Sequence, residues 1–222
     1  SSCYFARGPL TTDIASGKTL SIMKIRGGSL NVIKLNLPRE FTSIDVYSCG
    51  DWHIGDKSCD VTLIKDTINK IASTPNAYCI LNGDLENNAT RTSVSDSYAE
   101  KMPPMEQLEF TLSLLFPIKE KILAIEDGNH ERRTYRQDGI ELSRLISREL
   151  GIENRYSQEG NLIFLRFGQM ENGRKESNGS GRIRQPCYTI YAAHGSGSGR
   201  KEGSKVARVA DMASIVDADI YV

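Results

Sequence analysis

Short apolar runs alternate with amphipathic helical patterns along most of the chain. The runs at residues 43–49 (SIDVYSC), 77–81 (AYCIL) and 122–126 (ILAIE) have the length and the residue types of buried strands. Asp60 is a suitable N-cap for a helix between the first two runs. The apolar residues of that helix share one face: Val61, Ile64, Ile68 and Ile71. The pattern therefore predicts a β-α-β unit.

The alternation continues to the end of the chain. A helical pattern covers residues 105–115, and Asp138 with Glu141 three residues later predicts a capped helix over 140–150. Further strands are predicted at 162–166, 188–193 and 219–222, with a long Gly/Ser/Arg-rich connection after the first and a helix at 205–215 after the second. Strands that alternate with helices predict an α/β layered fold. We assign residues 43–222 to this domain and residues 1–42 to an N-terminal leader and first strand region.

Composition favours one globular domain. The chain has 222 residues, of which 39% are apolar and 25% charged. No run approaches the roughly 18 apolar residues of a membrane span, and the first residues lack the features of a secretory signal. The five cysteines are odd in number and lack C-x-x-C spacing. We therefore expect no membrane contact and reduced thiols in a cytoplasmic protein.

The formal net charge of zero conceals an uneven distribution. Residues 166–208 contain nine Lys or Arg against three Asp or Glu, and the segment is rich in Gly and Ser. Such a segment can contact phosphate groups, and it can equally be a solvated loop. Its position relative to a catalytic site has to decide between the two.

Polar clusters follow four of the predicted strands, at the point where each strand ends. They are Gly50-Asp51-Trp52-His53, Asn82-Gly83-Asp84, Asp127-Gly128-Asn129-His130-Glu131 and His194-Gly195, and they contain all three histidines of the chain. Taken singly, each cluster is typical of a surface turn or a structural histidine. Ligands in α/β folds, however, bind at the carboxyl ends of strands. Carboxylate and imidazole side chains together suit Mn²⁺, Fe or Zn²⁺, so the four clusters predict a metal site.

The order D-x-H, G-D, G-N-H-E and a later H-G, each after a strand, resembles the calcineurin-like metallophosphoesterase superfamily over residues 43–222. The resemblance implies a four-layer α/β/β/α sandwich whose strand-end loops hold two divalent metal ions, with Mn²⁺ as the best candidate. It further implies hydrolysis of a phosphate ester by a hydroxide that bridges the two cations.

The resemblance also implies a set of metal ligands. Asp51 and His53 would ligate the first metal, and Asp84 would bridge both. Asn129 and His194 would ligate the second metal.

Three further residues receive roles from the same resemblance. His130 would be the catalytic residue that is not a ligand, donating a proton to the leaving alkoxide or stabilising the phosphoryl oxygens. Arg132 and Arg133 are candidates for binding the substrate phosphate, because a guanidinium fork matches its oxygens.

The end of the chain departs from the superfamily pattern. Family members normally finish with G-H-x-H after a further strand, which supplies one imidazole to each metal, whereas the last residues here are DIYV. We expect a natural protein that continues beyond this point. The alternative is a degenerate domain that binds metal weakly.

The middle motif argues against a Ser/Thr protein phosphatase. Those enzymes continue G-D-x-V-D-R-G, whereas residues 83–88 read GDLENN and lack the arginine that binds phosphate. The GNHERR stretch is more similar to phosphoesterases of bacteriophages and prophages. We therefore expect a phosphodiesterase or nuclease-like enzyme, with nucleic acid and nucleotides among the candidate substrates. The alternatives are an impaired phosphate- or nucleic-acid-binding module, a phosphatase-like monoesterase, and an Asp/His two-metal hydrolase of another kind.

Overall fold

The computed structural model describes residues 21–25, 28–38, 40–89, 100–167, 186–195, 210–214 and 216–222. The strands are β1 (Ser21–Ile25), β2 (Gly28–Asn36), β3 (Asp45–Cys49), β4 (Ala77–Leu81), β5 (Ile122–Glu126), β6 (Tyr156–Ser157), β7 (Asn161–Arg166), β8 (Cys187–Ala192) and β9 (Ile220–Tyr221). The α-helices are α1 (Val61–Ser73), α2 (Pro104–Leu115), α3 (Asn129–Asp138) and α4 (Leu142–Glu149). Two 3₁₀ helices cover Phe116–Lys121 and Glu153–Arg155.

Four parallel strands form the first sheet, in the order β3-β4-β5-β6. Every residue of β4 and β5 is buried, as expected of parallel strands that are covered on both faces. One face packs against the helices through an apolar cluster that includes Ile64 of α1, Leu108 of α2 and Ile146 of α4. The predicted β-α-β unit of β3, α1 and β4 is confirmed, as are the strands at 77–81 and 122–126.

Side chains hold both ends of α1. The Asp60 carboxylate accepts the Leu63 N–H at 3.0 Å, so the predicted N-cap is confirmed. At the other end, the Lys121 ammonium donates to the carbonyls of Ile71 at 2.7 Å and Thr74 at 2.6 Å. A cation at this end also interacts favourably with the helix dipole. The helix that follows the β3 loop is therefore anchored at both termini.

The second sheet is mixed, in the order β1-β2-β7-β8-β9. β2 pairs in parallel with β7, and β7 pairs antiparallel with β8. The antiparallel pair agrees with the long connection predicted between these two strands. β1 and β2 precede residue 43 in the chain, yet β2 lies beside β7 in the same sheet.

The two sheets pack face to face. The apolar cluster between them includes Val46, Tyr78 and Leu123 from the first sheet and Leu35 and Ile163 from the second. On the other face of the second sheet, Met212 and Val216 pack against a small cluster that includes Leu162 and Tyr191. Residues 210–214 are helical, and the remainder of the helix predicted at 205–215 lies outside the described residues. The predicted α/β class is confirmed.

One predicted helix start is wrong. Asp138 ends α3 instead of capping a new helix, and Gly139 follows it with a left-handed φ of 71°. α4 begins after Glu141, whose carboxylate accepts from Arg144 at 2.9 Å and from Gln158 at 3.0 Å. No side chain of the described residues caps the first turn of α4, so the capping box that the Asp138–Glu141 spacing predicted does not form.

Within the described parts of the chain, no helix is both long enough and apolar enough to span a membrane.

Candidate metal centre

Three loops meet at the carboxyl ends of β3, β4 and β5. These strands are parallel neighbours, so the loops that follow them lie side by side at one edge of the sheet. Backbone bonds join the first two loops, since Asp51 N–H donates to the Gly83 carbonyl and His53 N–H donates to the Asp84 carbonyl, both at 3.1 Å. The structure thus brings three of the predicted polar clusters together.

The loop backbone is left-handed at the predicted ligand positions. Asp51, His53 and Asp84 have φ values of 52°, 48° and 50°. Among the described residues, the only other non-glycine residue with positive φ is Asn88. Such conformations cost about 1–3 kcal/mol each and concentrate at functional sites. Asp, Asn and His adopt them more readily than most residues do, which explains these residue types here.

The β4 and β5 loops approach so closely that only glycine fits at the contact. A Cβ atom on Gly128 would lie 2.2 Å from both the backbone N and Oδ1 of Asp84, and one on Gly83 would lie 2.2 Å from the Gly128 N. Gly83 also has a positive φ of 73°. The glycines of the G-D and G-N pairs therefore allow the Asp84 carboxylate to sit against the start of α3.

Two groups of possible metal ligands share Asp84. Ligand atoms of His53, Asp84 and His130 all lie within 4.8 Å of one another, so this group could hold a metal ion. In addition, His194 Nε2 lies 3.6 Å from Asp84 Oδ2. Asp84 and His194 are almost fully buried, with side-chain exposures of 6% and 9%. The predicted bridging residue is thus the one carboxylate common to both groups.

Hydrogen bonds to backbone carbonyls orient two of the imidazoles. His194 Nδ1 lies 2.6 Å from the Asn82 carbonyl, and His130 Nδ1 bonds to the Asn87 carbonyl. Because a carbonyl oxygen only accepts, each Nδ1 carries a proton, and in the neutral ring Nε2 keeps its lone pair. A histidine that binds a metal through one nitrogen usually donates the other N–H in this way.

The separation of His194 and Asp84 suits a shared cation better than a direct hydrogen bond. Two ligands at about 2.1 Å from a tetrahedral cation lie about 3.4 Å apart. The observed 3.6 Å is close to this value and is long for a hydrogen bond. The geometry of the side chains therefore fits a metal ion.

His53 faces the centre in its neutral form. Burial is the main cause that lowers its pKa, and the neighbouring His130, whose ring centroid is 4.6 Å away, lowers it further. The carboxylates of Asp84, Asp51 and Asp56 oppose this effect. Its Nδ1 is buried without a hydrogen-bond partner in the described residues. A neutral imidazole is the form that binds a metal.

Glu131 joins the β4 and β5 loops through hydrogen bonds. Its carboxylate accepts three backbone N–H groups, from Asp84 at 3.0 Å, Leu85 at 3.0 Å and Gly128 at 2.9 Å. Burial and the adjacent Asp84 charge raise its pKa to about 7, while the N–H groups of Asp84 and Leu85 oppose the rise. The residue is 2% exposed. Glu131 therefore positions Asp84 rather than facing solvent.

The other predicted site residues differ in exposure and in hydrogen bonding. Asp51 is exposed, with Oδ1 3.9 Å from His53 Nε2. Asn129 is exposed at the first position of α3, between Gly128 and His130. Arg132 donates to the Gln158 carbonyl, whereas Arg133 Nη1 is buried and has no partner among the described residues.

Two asparagines contribute in a way that the sequence pattern did not reveal. Asn82 and Asn87 orient His194 and His130 through their backbone carbonyls. Asn82 belongs to the N-G-D cluster, but no residue type marks a backbone acceptor. The fold alone determines which carbonyl meets each imidazole.

Most of the basic segment at 166–208 lies outside the described residues, which include 166–167 and 186–195 of it. Its predicted contact with phosphate stays a prediction.

Comparisons of the chain with protein-family models, with curated proteins and with solved structures find no match.

Proposed function

We propose that this protein is a phosphoesterase that uses two divalent metal ions, built on the four-layer α/β/β/α sandwich that the sequence resemblance implies. The observation that supports the proposal best is the position of Asp84. Its buried carboxylate forms a group with His53 and His130, and it also lies 3.6 Å from His194 Nε2. One carboxylate shared by two imidazole groups is the arrangement that a bridging ligand requires.

The proposed ligands are Asp51, His53 and Asp84 for one cation and Asp84, Asn129 and His194 for the other. Mn²⁺ suits this mixture of oxygen and imidazole donors. When bound, such cations neutralise the charge of a phosphate ester and lower the pKa of a coordinated water.

The protein's own residues orient the ester and move the proton. His130 keeps its Nδ1 on the Asn87 carbonyl, so its ring can turn little and Nε2 is the atom left for substrate. Protonated at Nε2, His130 would donate a proton to the leaving alkoxide. Arg132 and Arg133 are the candidates that the resemblance gives for binding a phosphoryl oxygen.

The favoured substrate is a phosphodiester, including a nuclease-like activity. The basic character of residues 166–208 supports contact with phosphate groups, since such contacts give affinity that does not depend on sequence. Phosphate binding without turnover would instead favour the alternative of a binding module.

The test is hydrolysis of bis-p-nitrophenyl phosphate and p-nitrophenyl phosphate with added Mn²⁺. We expect metal-dependent activity with preference for the diester. His130→Ala should reduce the rate by about 10²–10⁴-fold, the usual contribution of a general acid. The control Arg136→Ala changes an exposed residue of the same helix and should retain activity. No hydrolysis with Mn²⁺, Fe²⁺ or Zn²⁺ would contradict the proposal.

Mn²⁺ binding by the same variants separates the two roles open to His130. If His130 is the acid, His130→Ala binds Mn²⁺ as the unmodified protein does. If the variant loses a cation, His130 is a ligand in the group that it forms with His53 and Asp84.

A further inference from the structure

A cleft of about 530 Å³ opens directly beside the candidate metal centre. His53 and His130 contribute to its lining, and so do three residues of α1, namely Leu63, Ile64 and Thr67. Its volume is in the range of small-molecule sites, about 300–1,000 Å³. The space is therefore continuous with the residues proposed to act on phosphate.

The lining includes an aromatic and an apolar surface. Trp52, which lies between Asp51 and His53 in the β3 loop, lines the cleft and packs partly against the helical core. Leu63 also lines it, and this leucine is 52% exposed. An apolar side chain and an indole face suit a ring that is removed from water.

The charges of the lining are negative. Asp51, Asp56 and Asp60 line the cleft, and no lysine or arginine of the described residues does. The Asp56 carboxylate accepts hydrogen bonds from the Ser58 N–H at 2.7 Å and from the Ser58 hydroxyl. The neighbouring Lys101 ammonium is bound to the Lys57 carbonyl. A second phosphate group in this space would be repelled.

We propose that the cleft holds the organic group of the phosphate ester, and that this group is an uncharged ring about the size of a phenyl group or a nucleobase. The inference rests on the proposed function, because it places the phosphate on the metal centre. Trp52, Leu63 and Thr67 are then the residues that determine which ester is accepted.

Two phosphonates that cannot be hydrolysed test the inference. Methylphosphonate reaches the metal centre alone, whereas phenylphosphonate also extends a ring into the cleft. Calorimetry with the Mn²⁺-loaded protein should give a dissociation constant for phenylphosphonate at least about tenfold lower than for methylphosphonate. A carboxylate added para on the phenyl ring should weaken binding, because Asp56 and Asp60 line the cleft and neither is a proposed metal ligand.

A matched pair of threonine variants on α1 locates the ring. Thr67→Phe fills the cleft and should remove the preference for phenylphosphonate while leaving methylphosphonate affinity unchanged. Thr62→Phe places the same side chain on an exposed position outside the lining and should keep the preference. Leu63→Ala should reduce the preference at least about threefold, which gives a second variant that opens rather than fills the space.

Trp52 provides an optical readout that is independent of turnover. It is the single tryptophan of the chain, so its emission should change when phenylphosphonate binds and should not change in this way with Thr67→Phe. The inference would be overturned if the two phosphonates bound with equal affinity, or if Thr67→Phe and Thr62→Phe lost the preference for phenylphosphonate to the same extent. Either result would leave the proposed function intact. Failure of both phosphonates to bind with any divalent metal would contradict the proposed function as well.

Discussion

Replacement of Glu131 should disturb the candidate centre although this side chain faces away from solvent. The carboxylate accepts N–H groups from Asp84, Leu85 and Gly128, and Oε2 accepts two of the three. In Glu131→Gln the amide oxygen can keep the two bonds of Oε2, but the amide NH₂ then opposes the Leu85 N–H. One lost bond and an unsatisfied buried donor cost about 2–4 kcal/mol, and removal of a buried charge, whose desolvation raises the pKa of Glu131, offsets part of that cost.

Glu131→Ala should cost more, because three buried N–H groups lose their acceptor and each costs about 1–3 kcal/mol. The free energy of unfolding is measured from denaturant titration, and Mn²⁺ affinity is measured in parallel by calorimetry. We expect both variants to lose stability in the order Ala more than Gln, and both to bind Mn²⁺ less tightly, since Asp84 is no longer held.

The control is Glu109→Gln, which makes the same chemical change at an exposed position of α2 and should alter stability by less than about 0.5 kcal/mol. If Glu131→Ala were as stable as this control and bound Mn²⁺ normally, the three N–H bonds would not position Asp84 and the reasoning would be refuted.

Two further predictions concern burial and close packing. Burial raises the pKa of Glu126 from 4.5 to about 8. Between these pH values the folded protein keeps a proton on Glu126 that the unfolded chain loses, so the unmodified protein becomes less stable as the pH rises. Glu126→Gln lacks this proton, and its stability relative to the unmodified protein should therefore increase between pH 5 and 8 by up to about 1.4 kcal/mol per pH unit. If the free energies of unfolding of Glu126→Gln and of the unmodified protein differed by the same amount at every pH in that range, this prediction would be wrong. Gly128→Ala should weaken Mn²⁺ binding because its Cβ would lie 2.2 Å from Asp84 Oδ1, whereas the Cβ of Gly195→Ala would meet nothing within 4 Å; equal affinities in a metal titration would refute it.

The central strands could be predicted because their burial is complete. Every residue of β4 and β5 is buried, and Glu126 at the end of β5 is the only ionisable carboxyl among them. α1 combines an N-cap at Asp60 with apolar residues on one face. β6 has only two residues, and its position is determined by pairing with β5. Its local sequence pattern therefore does not predict it. The start predicted at Asp138 failed because the Gly139 turn ends α3 there.

The candidate site could be predicted as a set of strand ends, but its internal geometry could not. His53, Asp84 and His130 are brought together because their strands are parallel neighbours. The orientation of Arg132 toward the Gln158 carbonyl depends on where the loop after β6 passes. Likewise, the three N–H groups that meet Glu131 come from two loops more than 40 residues apart in the chain.

The most direct test of the central claim is Mn²⁺ binding to the unmodified protein and to Asp84→Asn, with stoichiometry from calorimetry and spin coupling from electron paramagnetic resonance. Asp66→Asn, an exposed position of α1, is the control. We predict two Mn²⁺ per chain, coupled as expected for ions about 4 Å apart, with the coupling lost in Asp84→Asn and kept in Asp66→Asn. The account would be contradicted if the unmodified protein bound no Mn²⁺, or if Asp84→Asn retained two coupled ions.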